Sequence, residues 1–215
     1  NLNLSLGGGM AVQEAVATKW KEKTGCVLAE AYGLTECSPA VCVNPLTMAE
    51  FNGAIGQPLP STDIMIMNEN GEGCDTGQEG ELCVKGPQVM QGYWNNIEES
   101  KKCFTKDGWL KTGDIATMDE KGFVYIASRK KDMILVSGFN VYPNEIEDVV
   151  VAIDGVQECA AIGVPDDKSG ERVKLFIVAS DKNLTEEAVK AHCKEHLTDY
   201  KQPKSIEFRT ELPKT

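Results

Sequence analysis

Four stretches of the chain hold side chains whose types and spacing could do chemistry. Gly7–Gly8–Gly9 stands just before a helical segment. Missing side chains there let a ligand approach the backbone, and a helix start offers unpaired N–H groups. No Gly-Lys-Ser/Thr follows, so it is not a P-loop, and by itself the block reads as a tight turn sooner than as a ligand site. Tyr32–Gly33–Leu34–Thr35–Glu36 follows an apolar stretch. Its ring can stack on a nucleobase, its hydroxyl can bond a phosphate oxygen and its carboxylate suits Mg²⁺. An ordinary strand-to-loop turn accounts for the same residues. A third block runs from Gly80–Glu81–Leu82–Cys83–Val84 through Gly92–Tyr93–Trp94 to Trp109–Leu110–Lys111–Thr112–Gly113–Asp114. An Asp at a strand end can accept from both ribose hydroxyls, or simply cap backbone N–H groups of a turn. The fourth runs from Arg129 to Glu147 and contains Ser137–Gly138–Phe139–Asn140 and Pro143–Asn144–Glu145. By itself it reads as a solvated charge run, a turn and a helix start.

The elements that must position these residues follow from periodicity. Met10–Thr24 reads as a helix, with Val12, Val16 and Trp20 at four-residue spacing and Gly25 as its stop. Cys26–Ala31 reads as a strand ending in a turn at Tyr32–Gly33. From Gly53 to Ala127 the texture is short apolar runs between turn residues, with strands expected at Ile64–Met67, Glu81–Lys85 and Phe123–Ala127. After Arg129 the spacing predicts a β-α-β-β-α unit. Its parts are a strand at Met133–Val136, a helix from Pro143 through Ile146, Val149, Val150 and Ile153, strands at Cys159–Val164 and Val173–Ala179, and a helix at Thr185–Leu197 capped by Thr185. The charged cluster Ser128–Asp132 separates the two parts and makes any hinge short.

Composition narrows the function classes. With 215 residues, 41% of them hydrophobic, the chain can bury one or two cores. A formal net charge of −11 argues against nucleic acid as a partner, because phosphate backbones need a basic footprint. No apolar run approaches membrane-spanning length; peripheral membrane contact, at the inner face, stays open. No signal peptide is visible, and eight cysteines without a CxxC pair read as reduced, buried thiols of a cytoplasmic protein. His192 and His196 have metal-like spacing but no third ligand, so they read as exposed helix histidines.

The order and spacing of the four blocks, with Gly86–Pro87–Gln88–Val89–Met90 and Leu135–Pro143, resemble the adenylate-forming superfamily of acyl-CoA synthetases, luciferases and adenylation domains. The details are most similar to its bacterial branch that joins long-chain fatty acids to coenzyme A. The resemblance implies an α+β fold. Residues 1–130 would be the end of a large α/β AMP-binding domain with a mostly antiparallel β subdomain, and residues 131–215 a small mobile α/β lid. The implied reaction takes ATP, fatty acid and coenzyme A to acyl-CoA, AMP and pyrophosphate through an acyl-AMP. Gly7, Gly8 and Gly9 would line the adenine pocket with Tyr32 and Gly33, and Thr35 would contact the α-phosphate. Glu36 would hold Mg²⁺, and Asp114 the ribose, with Arg129 beside it. Lys131 would be the hinge, and Gly138 would leave room for the thiol arm. Ser128 replaces a more usual Gly or Asp. Lys168, Arg172 and Lys174 could meet the 3′-phosphate of coenzyme A or be plain solvated surface. A carrier-protein arm as acceptor, and a non-catalytic binding module, are the competing readings. The resemblance also places a phosphate loop upstream of Asn1 and a catalytic lysine downstream of Thr215, distinct from Lys214. The chain alone is therefore expected to show negligible ATP–pyrophosphate exchange.

Overall fold

The computed structural model describes residues 2–181 and 183–213, and Lys214 lies outside them. The chain divides into two compact units, Asn1–Lys130 and Lys131–Thr215.

The first unit holds two four-stranded sheets. Strands β1 (Ser5–Gly7), β2 (Leu28–Gly33), β3 (Ala40–Val43) and β4 (Gln57–Pro58) form one of them in that order, β1 parallel to β2 and the rest antiparallel. Helix α1 (Glu14–Thr24) connects β1 to β2. It begins four residues later than periodicity predicts, after Gln13 in extended backbone, and Val12 N–H just before it donates to Glu30 Oε1 of β2. The expected Val16–Trp20 stripe is also corrected: Ala17 is the buried residue, while Val16 and Trp20 stay half-exposed. Trp20 lends its indole N–H to Ser5 Oγ at 2.9 Å. Tyr32–Gly33, read as a turn, belongs to β2, since both residues pair with β3.

The second sheet is an antiparallel meander of β5 (Asp63–Met67), β6 (Gly80–Lys85), β7 (Leu110–Met118) and β8 (Val124–Arg129). A short helix α2 (Ile97–Cys103), capped by Asn96, precedes β7. Glu81, Leu82, Cys83 and Val84 are buried in succession, as expected of a strand covered on both faces. A bridge between Gly56 and Val124 ties the two sheets, and Val41, Cys42, Leu82, Leu110 and Val124 share one core.

The second unit contains β9 (Ile134–Val136), β10 (Phe139–Val141), α3 (Pro143–Val151), β11 (Val156–Asp166), β12 (Gly170–Ala179), α4 (Glu186–His196) and β13 (Ser205–Arg209). Val173, Leu175 and Ile177 alternate inward along β12, which pairs antiparallel with β11 and parallel with β13. Ile146 and Val150 of α3, with Val189 and Cys193 of α4, cover them at helical spacing. Pro143 opens α3, and Thr185 Oγ1 accepts Ala188 N–H at the start of α4. β10 and β13 extend the expected β-α-β-β-α series. No described helix is long and apolar enough to cross a membrane.

All eight cysteines are unpaired. Burial pushes the thiols of Cys42, Cys83 and Cys159 up to about 12. His192 and His196 stack at 4.2 Å, and His192 Nε2 lies 3.1 Å from Val149 O.

Glu147 of α3 accepts Ala161 N–H at 2.9 Å, yet burial, aided by nearby Asp148 and Asp132, holds its carboxyl above the usual carboxylate range. A carboxyl raised in the folded state contributes stability below its unfolded value of 4.5, and that contribution is lost as pH climbs through the folded value. Glu147→Gln keeps the acceptor and removes the charge. Between about pH 4 and about pH 7, the wild-type urea midpoint should therefore fall relative to that of the variant. Parallel midpoints across this range would refute the assignment.

Candidate functional site

Tyr32 and Arg129, both expected at the site from the sequence, meet on Asp114. Tyr32 leaves β2 of the first sheet, while Asp114 and Arg129 are a register pair on β7 and β8 of the second. The Tyr32 hydroxyl donates to Asp114 Oδ2 at 2.5 Å, and Arg129 Nε stands 3.3 Å from Asp114 Oδ1. Asp114 is only 5% exposed. Burial first, and the Asp114 charge second, raise the Tyr32 phenol far above its ordinary value, so it remains a proton donor throughout the neutral range.

Asp114 was expected at a strand end, and the structure corrects this: it lies in the middle of β7. What frees its side chain from regular pleating is a register shift. Cys83 pairs with Lys111 and Glu81 pairs with Ile115, so Thr112–Gly113–Asp114 bulges out, with Gly113 at φ 77°. A bulge re-aims a side chain in this way. Thr112 Oγ1 donates to Leu82 O and accepts Asp114 N–H, which pins the bulge from both sides. Glu81, 8% exposed, adds a second clamp by accepting Gly113 N–H and the Lys130 ammonium, the latter at 3.0 Å. Thr112 and Glu81 stand in the third sequence block, but neither was given a role there, although a carboxylate beside the apolar run Leu82–Val84 was the available signal.

Thr35 and Glu36 sit in a single 3₁₀ turn directly after β2. Glu36 Oε1 accepts from the Tyr93 hydroxyl at 2.7 Å, and Glu36 O accepts Met90 N–H. The hydrogen bond to Glu36 is the main reason the Tyr93 phenol is pushed up to about 12. Tyr93 is the third residue the sequence reading did not assign a role. Among the described residues no group of three or more His, Cys, Asp or Glu could hold a metal by itself. Magnesium arriving on nucleotide phosphates needs only one or two carboxylates, and Glu36 offers one.

Gly7 pairs with Glu30, so the glycine block begins alongside the strand that carries Tyr32. A side chain at Gly8 would meet Ala31 O at 2.8 Å, and Gly9 takes φ 85°. Gly33 has a packing reason of its own. A Cβ there would lie 2.1 Å from Pro39 O, the same carbonyl that accepts Leu34 N–H. In the second unit, Lys131 is exposed. Ser137 and Gly138 form a two-residue hairpin between the paired Val136 and Phe139, both with positive φ. Arg172 faces Asp166 and Lys174 faces Glu207, so two of the three cations considered for a phosphate already have carboxylate partners.

The sheets and helices of the two units follow the α+β architecture of adenylate-forming enzymes. ATP-bound MatB from Rhodopseudomonas palustris superposes on 99% of this chain with a TM-score of 0.93 at 36% identity, the match covering 42% of that protein. The Bacillus subtilis o-succinylbenzoate CoA synthetase in complex with its acyl-adenylate intermediate covers 97% of this chain and 42% of its own, with a TM-score of 0.87 at 32% identity. Residues 1–94 match the family model for AMP-binding enzyme, and residues 145–215 match that for the AMP-binding enzyme C-terminal domain. The chain belongs to the AMP-binding enzyme family. It is 57% identical over all 215 residues to a long-chain-fatty-acid–CoA ligase of Salmonella typhimurium, and spans 38% of that relative's length.

Gly33→Ala forces the hairpin that holds the Thr35–Glu36 turn to open around Pro39. Overpacking of this kind typically costs about 1–3 kcal/mol, and the urea midpoint should fall accordingly. An unchanged midpoint would show that the Pro39 carbonyl can yield.

Proposed function

We propose that the protein carrying this chain is an AMP-forming ligase that joins long-chain fatty acids to coenzyme A, and that residues 1–130 hold its nucleotide. The observation that carries this reading is the Tyr32–Asp114–Arg129 cluster, built on a buried carboxylate, in a chain of this family. In the first step a fatty carboxylate oxygen attacks the α-phosphate of ATP, pyrophosphate leaves, and acyl-AMP forms. In the second the thiol of coenzyme A attacks the acyl carbonyl, loses its proton, and displaces AMP.

Each residue has a definite task in this scheme. Gly7, Gly8 and Gly9 give the adenine room beside β2, with Tyr32 against the base and Gly33 behind it. Asp114 accepts the ribose hydroxyls, and Arg129 balances its charge. Thr35 donates to the α-phosphate, where pre-placed donors count most because negative charge builds there. Glu36 holds magnesium, which when bound offsets phosphate charge. Tyr93 keeps the Glu36 carboxylate facing one way until the nucleotide arrives. Residues 131–215 act as the mobile lid domain, with Lys131 as pivot and Gly138 sparing space for the pantetheine arm. Long-chain acyl preference is supported by the 57% identity to the Salmonella typhimurium ligase.

The protein carrying this chain, given ATP, magnesium, a long-chain fatty acid and coenzyme A, should release AMP and acyl-CoA in equal amounts. Asp114→Ala should lower kcat/KM for ATP by about 10- to 100-fold, the range for losing a charged hydrogen-bond partner. AMP release that ignores free coenzyme A would point to a different acceptor, such as a carrier-protein arm. Failure to form any acyl-AMP would overturn the proposal.

A further inference from the structure

The stacking role given to Tyr32 uses only its ring, yet its hydroxyl makes the shortest contact in the site. Three observations bear on what that hydroxyl does. Asp114 is buried, so its carboxylate has little water to settle its orientation. Its Oδ1 partner Arg129 reaches it from a side chain that is 63% exposed, at 3.3 Å, and such exposed pairs constrain geometry weakly. Its Oδ2 partner is the Tyr32 hydroxyl at 2.5 Å, presented by a strand whose path is fixed by the close passage of Gly33 against Pro39. The stiff restraint on the carboxylate therefore comes across the gap between sheets, from a residue 82 positions away.

We infer that Tyr32 is a positioning residue for sugar recognition: its hydroxyl fixes the rotation of the Asp114 carboxylate so that the remaining lone pairs face the two ribose hydroxyls of the nucleotide. A carboxylate has about four acceptor positions, and one Tyr and one Arg donor leave enough for a cis-diol. The phenol never releases its proton near neutrality, because burial and the Asp114 charge both oppose it, so the restraint persists wherever the protein works. Base stacking and sugar reading are thus joined in one side chain, and Tyr32→Phe separates them by keeping the ring and deleting the donor.

The inference rests on the reading of Asp114 as the ribose acceptor, and the experiment distinguishes the two. Binding of AMP and of 2′,3′-dideoxy-AMP is measured by calorimetry for the wild-type protein, Asp114→Ala and Tyr32→Phe, with folding of each checked by circular dichroism. The wild type should prefer AMP by about tenfold or more, and Asp114→Ala should erase that preference. Tyr32→Phe should cut the preference by about threefold or more, the loss falling on AMP rather than on the dideoxy nucleotide. If Asp114→Ala erases the preference and Tyr32→Phe keeps it in full, the positioning role is wrong and the ribose reading stands. Equal weakening of both nucleotides by Tyr32→Phe also overturns it, since the hydroxyl would then act on the whole pocket. If the wild type shows no preference at all, the ribose reading fails and this inference falls with it.

Discussion

A carboxylate withdrawn from water must be repaid in hydrogen bonds or charge, and the geometry of the first unit is organised around one such group. Asp114 collects a phenol from one sheet and a guanidinium from its neighbouring strand, while its own backbone N–H is taken by Thr112. The guanidinium comes from the residue that pairs directly with Asp114, whereas the phenol belongs to the other sheet. The bulge at Thr112–Asp114 turns it toward β2, and the bulge in turn relies on Glu81, whose two oxygens hold Gly113 and Lys130. Removing a buried partner from such a network leaves its counterpart unsatisfied, which costs more than the bond itself contributes.

A second polar pairing works on a looser scale. Glu36 is bound by Tyr93 from the segment after β6, so the 3₁₀ turn that follows β2 is tethered to the second sheet's connections as well. The site residues of the first unit therefore hang on contacts between the two sheets, and the bridge from Gly56 to Val124 keeps those sheets in step.

How much of this was readable in advance varies with the range of the interactions. Helices α3 and α4 were legible because Pro143, Thr185 and the spacing of Ile146, Val150, Val189 and Cys193 are local signals. Strands β1, β3, β4, β10 and β13 were not, because two to five residues carry too little periodicity and their pairing is decided by distant chain; the nine-residue β7 was anticipated only as a strand end at Asp114. The same holds for the site. The chemical types of Tyr32, Asp114 and Arg129 announced them, and family resemblance put them in one list. That Tyr32 would bond to Asp114, that Asp114 would sit mid-strand, and that Glu81 would serve as a clamp all depend on register shifts. No local pattern encodes those. Gly33 is the opposite case: it was singled out for a ligand, and the strand crossing at Pro39 already demands it.

The thiols have a consequence outside this chemistry. Oxidants and alkylating agents react with the anion of cysteine, not with the neutral group. At a value of about 12, Cys42, Cys83 and Cys159 carry that anion in only about one molecule in 10⁵ near pH 7. A chain with eight sulfhydryl groups is thereby chemically quiet at those three.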